Sequence, residues 1–264
     1  MTETLLLDKK DNGVRVLTFN RPDVLNALNM DTMTAFLRAI TALEQDTDMR
    51  VLVLTGAGDR AFSSGGDLSE LRNHLSEADG AYFTRIVTNT LQRMAELPVP
   101  VIAAINGYAL GGGSEIALAC DMRIVDEKVK MGMVQISMAL TPGWGAGQRL
   151  LQLVGYPKAM ELLLTGEILR ADTLKSLGLA NKVVPTGLAR THALTFANQI
   201  AERPPKVVAS IKRLLRAGLT QSKEDVAQLE YDLFAPLWAD QPHIDAVEAF
   251  FARQAAKKQD TSDA

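Results

Sequence analysis

The chain has one cysteine, Cys120, in 264 residues, so it cannot form an internal disulfide, and a lone thiol suits a reducing compartment such as the cytoplasm. Histidine is as scarce: His74, His192 and His243 are scattered and lack metal-ligand spacing, so no metal is expected. Positive charge is not in excess, and a net charge of −3 removes the electrostatic case for nucleic acid. No apolar run approaches the roughly 20 residues that span a bilayer, so no membrane partner is expected. The opening Met1-Thr2-Glu3-Thr4 lacks the basic character of a secretory leader. No glycine precedes Lys-Ser or Lys-Thr, which excludes a phosphate-binding P-loop. Gly56-Ala-Gly58-Asp-Arg-Ala61 fits a dinucleotide fingerprint in letters only, because Phe62-Ser-Ser-Gly-Gly-Asp67 cannot open a helix packed on a sheet.

What is present is apolar material, 47% of residues, with 22% charged, enough for a substantial core. Short apolar runs at Val14–Phe19, Val51–Thr55, Val101–Ile105 and Met122–Val125 predict buried strands, the first paired through the Asn12-Gly13 turn with a strand at Thr4–Asp8. Between them, Met33, Phe36, Leu37, Ile40 and Leu43 have helical spacing behind an Asp31 cap, and Phe83, Ile86, Val87, Leu91 and Met94 mark a second helix. After Gly147 the pattern is mostly helical apart from a strand at Lys182–Val184. Alternation followed by helices predicts an α/β core over residues 1–200 and a helical region over 201–264, with a frayed polar tail from Gln259.

Chemistry concentrates in Ala103–Asp121, an apolar strand running into Gly111-Gly112-Gly113 and then a helix carrying Glu115. Consecutive glycines at a helix start leave backbone N–H groups open to a ligand. Glu115 sits among Ala, Ile and Leu, either as a satisfied buried carboxylate paired with an arginine or as a working acid or base. Cys120 on the same stretch reads as a small buried hydrophobe. A second glycine turn, Ser63-Ser64-Gly65-Gly66-Asp67-Leu68, also follows a strand. The two turns are either unrelated or aim two N–H groups at one oxygen, as an oxyanion hole requires. Gln135 lies in an expected strand at Met133–Ser137, and Pro142-Gly-Trp-Gly145 is a turn into a helix at Ala146–Leu153, with Trp144 expected to pack.

Four segments in order resemble the crotonase (enoyl-CoA hydratase/isomerase) superfamily across nearly the whole chain: Asn20–Leu28, Ala61–Leu68, Ala104–Glu115 and Pro142–Leu150. The resemblance implies a crotonase (ClpP-like) spiral of ββα repeats with a helical C-terminal trimerisation region, self-associating as a trimer or hexamer. It implies an acyl-CoA substrate and no separate cofactor. By position, the N–H groups of Gly66 and Gly112 would hold the thioester oxygen, and Leu25, Ala27, Ser64, Asp67 and Leu68 would line the adenine and pantetheine path. Phe250 and a nearby cation (Arg253, Lys257 or Lys258) would reach the CoA of a neighbouring subunit.

The chain departs from the hydratase pattern at one place. Hydratases of this family use two glutamates; Glu115 matches the first, but the second position, seven residues before Pro142, is Gln135. An amide has the shape of a carboxyl group without its usable proton. Decarboxylation of a short alkylmalonyl-CoA, which makes its own enolate, therefore stands first in this reading. Gln135 would face the departing carboxylate, Trp144 would wall the site and Glu115 would protonate Cα. Pro-Gly-Trp-Gly also resembles the ethylmalonyl-CoA decarboxylase branch. The alternatives are a hydratase or isomerase working with one glutamate, and an acyl-CoA-binding protein without catalysis.

Overall fold

The computed structural model describes residues 3–262, with side chains through residue 254. Two compact units divide after Glu202.

The first unit is built on a six-stranded sheet in the order β1 (Leu5–Lys9), β2 (Val14–Phe19), β3 (Val51–Gly56), β5 (Val101–Ile105), β7 (Met122–Asp126) and β10 (Lys182–Val184). Only the β1–β2 hairpin is antiparallel. Every residue of β2, β3 and β5 is buried, as in a parallel sheet covered on both faces. One face (Leu17, Phe19, Leu52, Leu54, Ala103, Ile105) packs with α1 (Met30–Leu43), α3 (Glu77–Glu96) and α4 (Gly112–Ala119) in the main core. The other (Val16, Val53, Ile102, Ile124) packs with α7 (Ala189–Ala201), whose Ala189, Ala193 and Ala197 form the small-residue stripe of a close helix–sheet contact.

A second sheet, β4 (Ala61–Ser63), β6 (Tyr108–Leu110), β8 (Lys130–Gly132) and β9 (Leu169–Arg170), takes one strand from each successive repeat. β3–β4, β5–β6 and β7–β8 each place their first strand in the large sheet and their second in the small one. This is a spiral of ββα repeats, the fold the resemblance implies. The chain-order elements not yet named are α2 (Leu68–Leu71), α5 (Ala146–Thr165) and α6 (Ala171–Ser176). The second unit is helical: α8 (Pro205–Ala217), α9 (Lys223–Trp238) and α10 (Gln241–Ser262).

Local expectations are corrected at four points. α1 is capped by Asn29, whose side chain accepts from the Thr32 N–H, and Asp31 lies inside its first turn. α4 starts at Gly112, so the glycines form its first turn. Gln135 lies in a 3₁₀ segment, Val134–Met138, rather than a strand, because the chain leaves the small sheet at Gly132. The mostly helical stretch after Gly147 also contains β9, whose two residues are too few to leave a period. Of the expected frayed tail, α10 covers the residues to Ser262, while Asp263 and Ala264 lie outside the described residues.

One buried ion pair gives the core a pH signature. Arg15 donates to both carboxylate oxygens of Asp46, at 2.9 and 3.1 Å, and both side chains are more than nine-tenths buried. That hydrogen bonding, with Lys9 beside it, outweighs burial and draws Asp46 down to about 2. A depressed carboxyl pKa contributes stability that is full above about pH 4 and disappears as pH falls toward 2. Asp46→Asn should lower stability by about 2 kcal/mol at neutral pH and flatten the loss over that acid range. Urea denaturation at stepped pH checks this; an unchanged acid slope would mean that Asp46 does not carry the linkage.

Candidate active site

β4, β6 and β8 are parallel neighbours, so their C-terminal ends lie along one edge. From that edge leave the Gly65-Gly66 turn, the Gly111–Gly113 turn and the segment bearing Gln135. Each turn needs glycine for a different contact. A Cβ on Gly65, whose φ is +92°, would stand 2.7 Å from the Gly112 nitrogen, and one on Gly113 would stand 2.0 Å from the Ser63 carbonyl oxygen. The two turns therefore touch, backbone on backbone, across 47 positions of sequence (65 to 112).

The direction of the Gly66 N–H follows from its neighbours. Gly65 accepts from the Leu28 N–H and Asp67 donates to the Leu28 carbonyl, so Gly66, between them, turns its own N–H to the opposite side. At the start of α4 the Gly112 N–H has no preceding turn to bond. Among the described residues neither N–H has a protein acceptor.

Glu115, one turn into α4, is 2% exposed. Its Oε1 accepts from Gln135 Nε2 at 2.8 Å and the Gly143 N–H at 3.2 Å; its Oε2 accepts from the Trp144 and Ala146 N–H groups at 2.7 and 3.1 Å. A carboxylate has about four lone-pair sites, and here all four are filled. The arginine partner considered from sequence is absent among the described residues; backbone N–H groups stand in its place. They include the first N–H of α5, whose own cap residue, Gly145, has no side chain to offer. Burial raises the pKa of Glu115 above the ordinary glutamate value, and the four hydrogen bonds only partly offset it.

Gln135, oriented by its bond to Glu115, is left with a buried Oε1 that has no partner. Trp144 is 8% exposed, and its ring covers the second glycine turn so closely that a Cβ on Gly112 would fall 1.9 Å from its Cζ3. The expected coenzyme-path residues also come together. The Ser64 N–H donates to the Leu25 carbonyl, and Leu25 holds a left-handed φ of +56°. Arg21 Nη1 reaches both the Ala27 carbonyl (2.7 Å) and Asp67 Oδ2 (2.8 Å). Asp67 also caps α2 through Ser69; burial opposes its ionisation, but the hydrogen bonds from Ser69 and Arg21 leave its pKa lowered. Leu68 is exposed. Phe250 is exposed on α10 in the second unit, and the Lys257 side chain lies outside the described residues.

Sequence reasoning missed the polar pins behind this edge. Asn26 Nδ2 donates to the Ala57 and Ala61 carbonyls, and Asn106 Nδ2 to those of Gly56 and Gly58. An asparagine inside an otherwise apolar run is the one signal that pointed to them. Cys120 is buried, as expected of a small hydrophobe. Among the described residues no cluster of acidic, histidine or cysteine side chains is placed to hold a metal, and no helix is long and apolar enough to cross a membrane.

A spiral of ββα repeats with two glycine turns meeting beside a buried carboxylate is suited to an enzyme that steadies an oxyanion while a proton moves. The family model described as Enoyl-CoA hydratase/isomerase matches residues 9–259, and the chain belongs to that family, in the crotonase superfamily. It is 35% identical over 246 residues to the short-chain-enoyl-CoA hydratase of Clostridium acetobutylicum, covering 93% of this chain and 94% of the relative. It is 30% identical over 244 residues to the ethylmalonyl-CoA decarboxylase of Pongo abelii, covering 91% and 81%. The crystal structure of an enoyl-CoA hydratase from Bacillus anthracis superposes with a TM-score of 0.90 at 32% identity, covering 95% of this chain and 96% of that one. The chain is thus a crotonase-superfamily enzyme.

Proposed function

We propose that the enzyme adds water across the double bond of a short 2-enoyl-CoA, using Glu115 as its one proton carrier. The observation that carries the reading is the pair of N–H groups on Gly66 and Gly112, on touching turns and without acceptors among the described residues, next to Glu115. An enolate oxygen fits two such donors, which gain strength where water is excluded. In the step itself, Glu115 takes a proton from water as the oxygen bonds to Cβ, and the double-bond electrons move into the thioester as an enolate. Glu115 then returns the same proton to Cα, giving a 3-hydroxyacyl thioester with no net proton change, so one carboxyl group suffices. Water must displace one of the four donors on Glu115, and the Gly143 N–H, at 3.2 Å, makes the longest of the four bonds, so Gln135 keeps its own.

Gln135 is what moves hydration ahead of the decarboxylation preferred from sequence alone. Its amide nitrogen is spent on Glu115, and its free atom is an acceptor. An acceptor is satisfied by the second O–H of water and repels a substrate carboxylate. The hydratase names of the Clostridium and Bacillus proteins support the same choice. Decarboxylation of an alkylmalonyl-CoA is the second reading, favoured by a neutral side chain at position 135 and by the Pongo relative. Separate incubations with crotonyl-CoA and ethylmalonyl-CoA decide between them. We expect loss of the enoyl absorbance and little carbon dioxide; carbon dioxide release without hydration would reverse the order, and no turnover of either would favour a binding protein.

The coenzyme would run past Leu25, Ala27, Ser64, Asp67 and Leu68, with Phe250 and Lys257 meeting the CoA of a neighbour. No separate cofactor enters the proposed chemistry. Self-association as a trimer or hexamer is supported by exposed apolar side chains along α5, among them Leu151, Tyr156, Met160 and Leu164. The single buried cysteine supports a cytoplasmic setting.

A further inference from the structure

The turn that holds Glu115 is itself held from a second side. Thr88, on α3, donates its hydroxyl to the Gly143 carbonyl at 3.1 Å. That carbonyl belongs to the same peptide plane as the Trp144 N–H, which makes the shortest hydrogen bond to Glu115, 2.7 Å. A peptide group carries its C=O and N–H on opposite edges, so a donor on the carbonyl keeps the N–H aimed the other way. It also polarises the N–H and strengthens its bond to the carboxylate. With the carbonyl unheld, rotation of this peptide would turn an oxygen toward Glu115 and replace its best donor by a repulsive acceptor. Gly143, with no side chain to resist, is the natural pivot for such a rotation. The next carbonyl, of Trp144, is held in the same way by Arg149 Nη1 at 2.8 Å.

We propose that Thr88 is a positioning residue: through the Gly143–Trp144 peptide it keeps a backbone donor on Glu115, and so ties the proton-carrying group to the placement of α3. The functional consequence rests on Glu115 being the proton carrier. The groups on Glu115 and its turn are the Gln135 amide from the 3₁₀ segment, Thr84 and Thr88 from α3, the backbone of the turn itself, and one charged group, the Arg149 guanidinium of α5. Arg149, on α5, donates Nη1 to the Trp144 carbonyl, and Thr88 itself carries no charge. Loss of the strap therefore reads out as the loss of a donor rather than of a charge.

The experiment is a carboxyl ¹³C NMR titration of Glu115 in the full-length protein, beside the pH profile of turnover, for Thr88→Val, Thr88→Ala and Thr88→Ser. Valine and alanine should move the Glu115 midpoint upward by on the order of one pH unit, since a hydrogen bond to a charged group is weakened. Serine keeps the hydroxyl and should restore the wild-type midpoint. The acid limb of kcat should move with the midpoint while KM changes little. A midpoint unmoved in whichever of the valine and alanine variants folds would overturn the proposal, as would a serine variant that shifts like alanine. The titration needs no turnover, so it still reads the strap if the hydration assay fails.

Discussion

Replacing Glu115 by glutamine is expected to lower turnover at least ~100-fold, the scale of a lost general acid–base group. Both halves of the proposed step pass one proton through this carboxyl group, and an amide neither takes it from water nor returns it to Cα. The variant also disturbs structure in a calculable way. Three backbone N–H groups and the Gln135 amide converge on the carboxylate, so the NH₂ of a new glutamine must face at least one donor. A buried donor left without an acceptor costs about 1–3 kcal/mol, and the melting temperature should fall accordingly. Steady-state kinetics at a temperature where the variant is fully folded separates the two effects. Near-normal kcat there would remove Glu115 from the mechanism and leave it as the tether of α5. In the proposed step the active form is the carboxylate, so activity should fall as pH drops through a midpoint raised above the ordinary glutamate value by burial.

Gly112→Ala should be almost as damaging, for a purely geometric reason. The φ of Gly112 is not in the left-handed region, so alanine is not excluded by the backbone. The obstacle is the Trp144 ring, with Cζ3 and Cη2 only 1.9 and 2.5 Å from the new Cβ. Either the ring leaves the glycine turn or the turn moves, and the Gly112 N–H moves with it relative to that of Gly66. Losing one oxyanion donor is worth about 10²–10³ in kcat. Because the cause is steric, space should relieve it: Gly112→Ala combined with Trp144→Leu should recover at least ~10-fold of the loss, a coupling expected of residues in direct contact. Strictly multiplicative losses in that cycle, or a fully active single variant, would contradict the packing of the ring on the turn.

The sequence by itself determined the buried strands, the glycine turns and the family. Each of these is written in neighbouring residues: β2, β3 and β5 as uninterrupted apolar runs, the turns as paired or tripled glycines, the family as four short segments in order. Its local errors lie where two neighbouring residues compete for one role, as Asn29 and Asp31 do for the cap of α1, or where an element is as short as β9. Glu115 was visible as an acid in an apolar helix, but its state was not. Its four donors come from 20 to 31 positions away, brought close because parallel strands end at a common edge and the chain then turns back over α4. Gln135 could be read as a missing acid, yet only the fold shows its amide turned toward Glu115 with the carbonyl oxygen left over. Thr88 looks like one more position on an amphipathic helix until α3 packs beside the Pro142–Ala146 turn. Periodicity and propensity are local and survive in the order of residues. Hydrogen bonds to a buried carboxylate are made between distant segments, and only tertiary structure decides them.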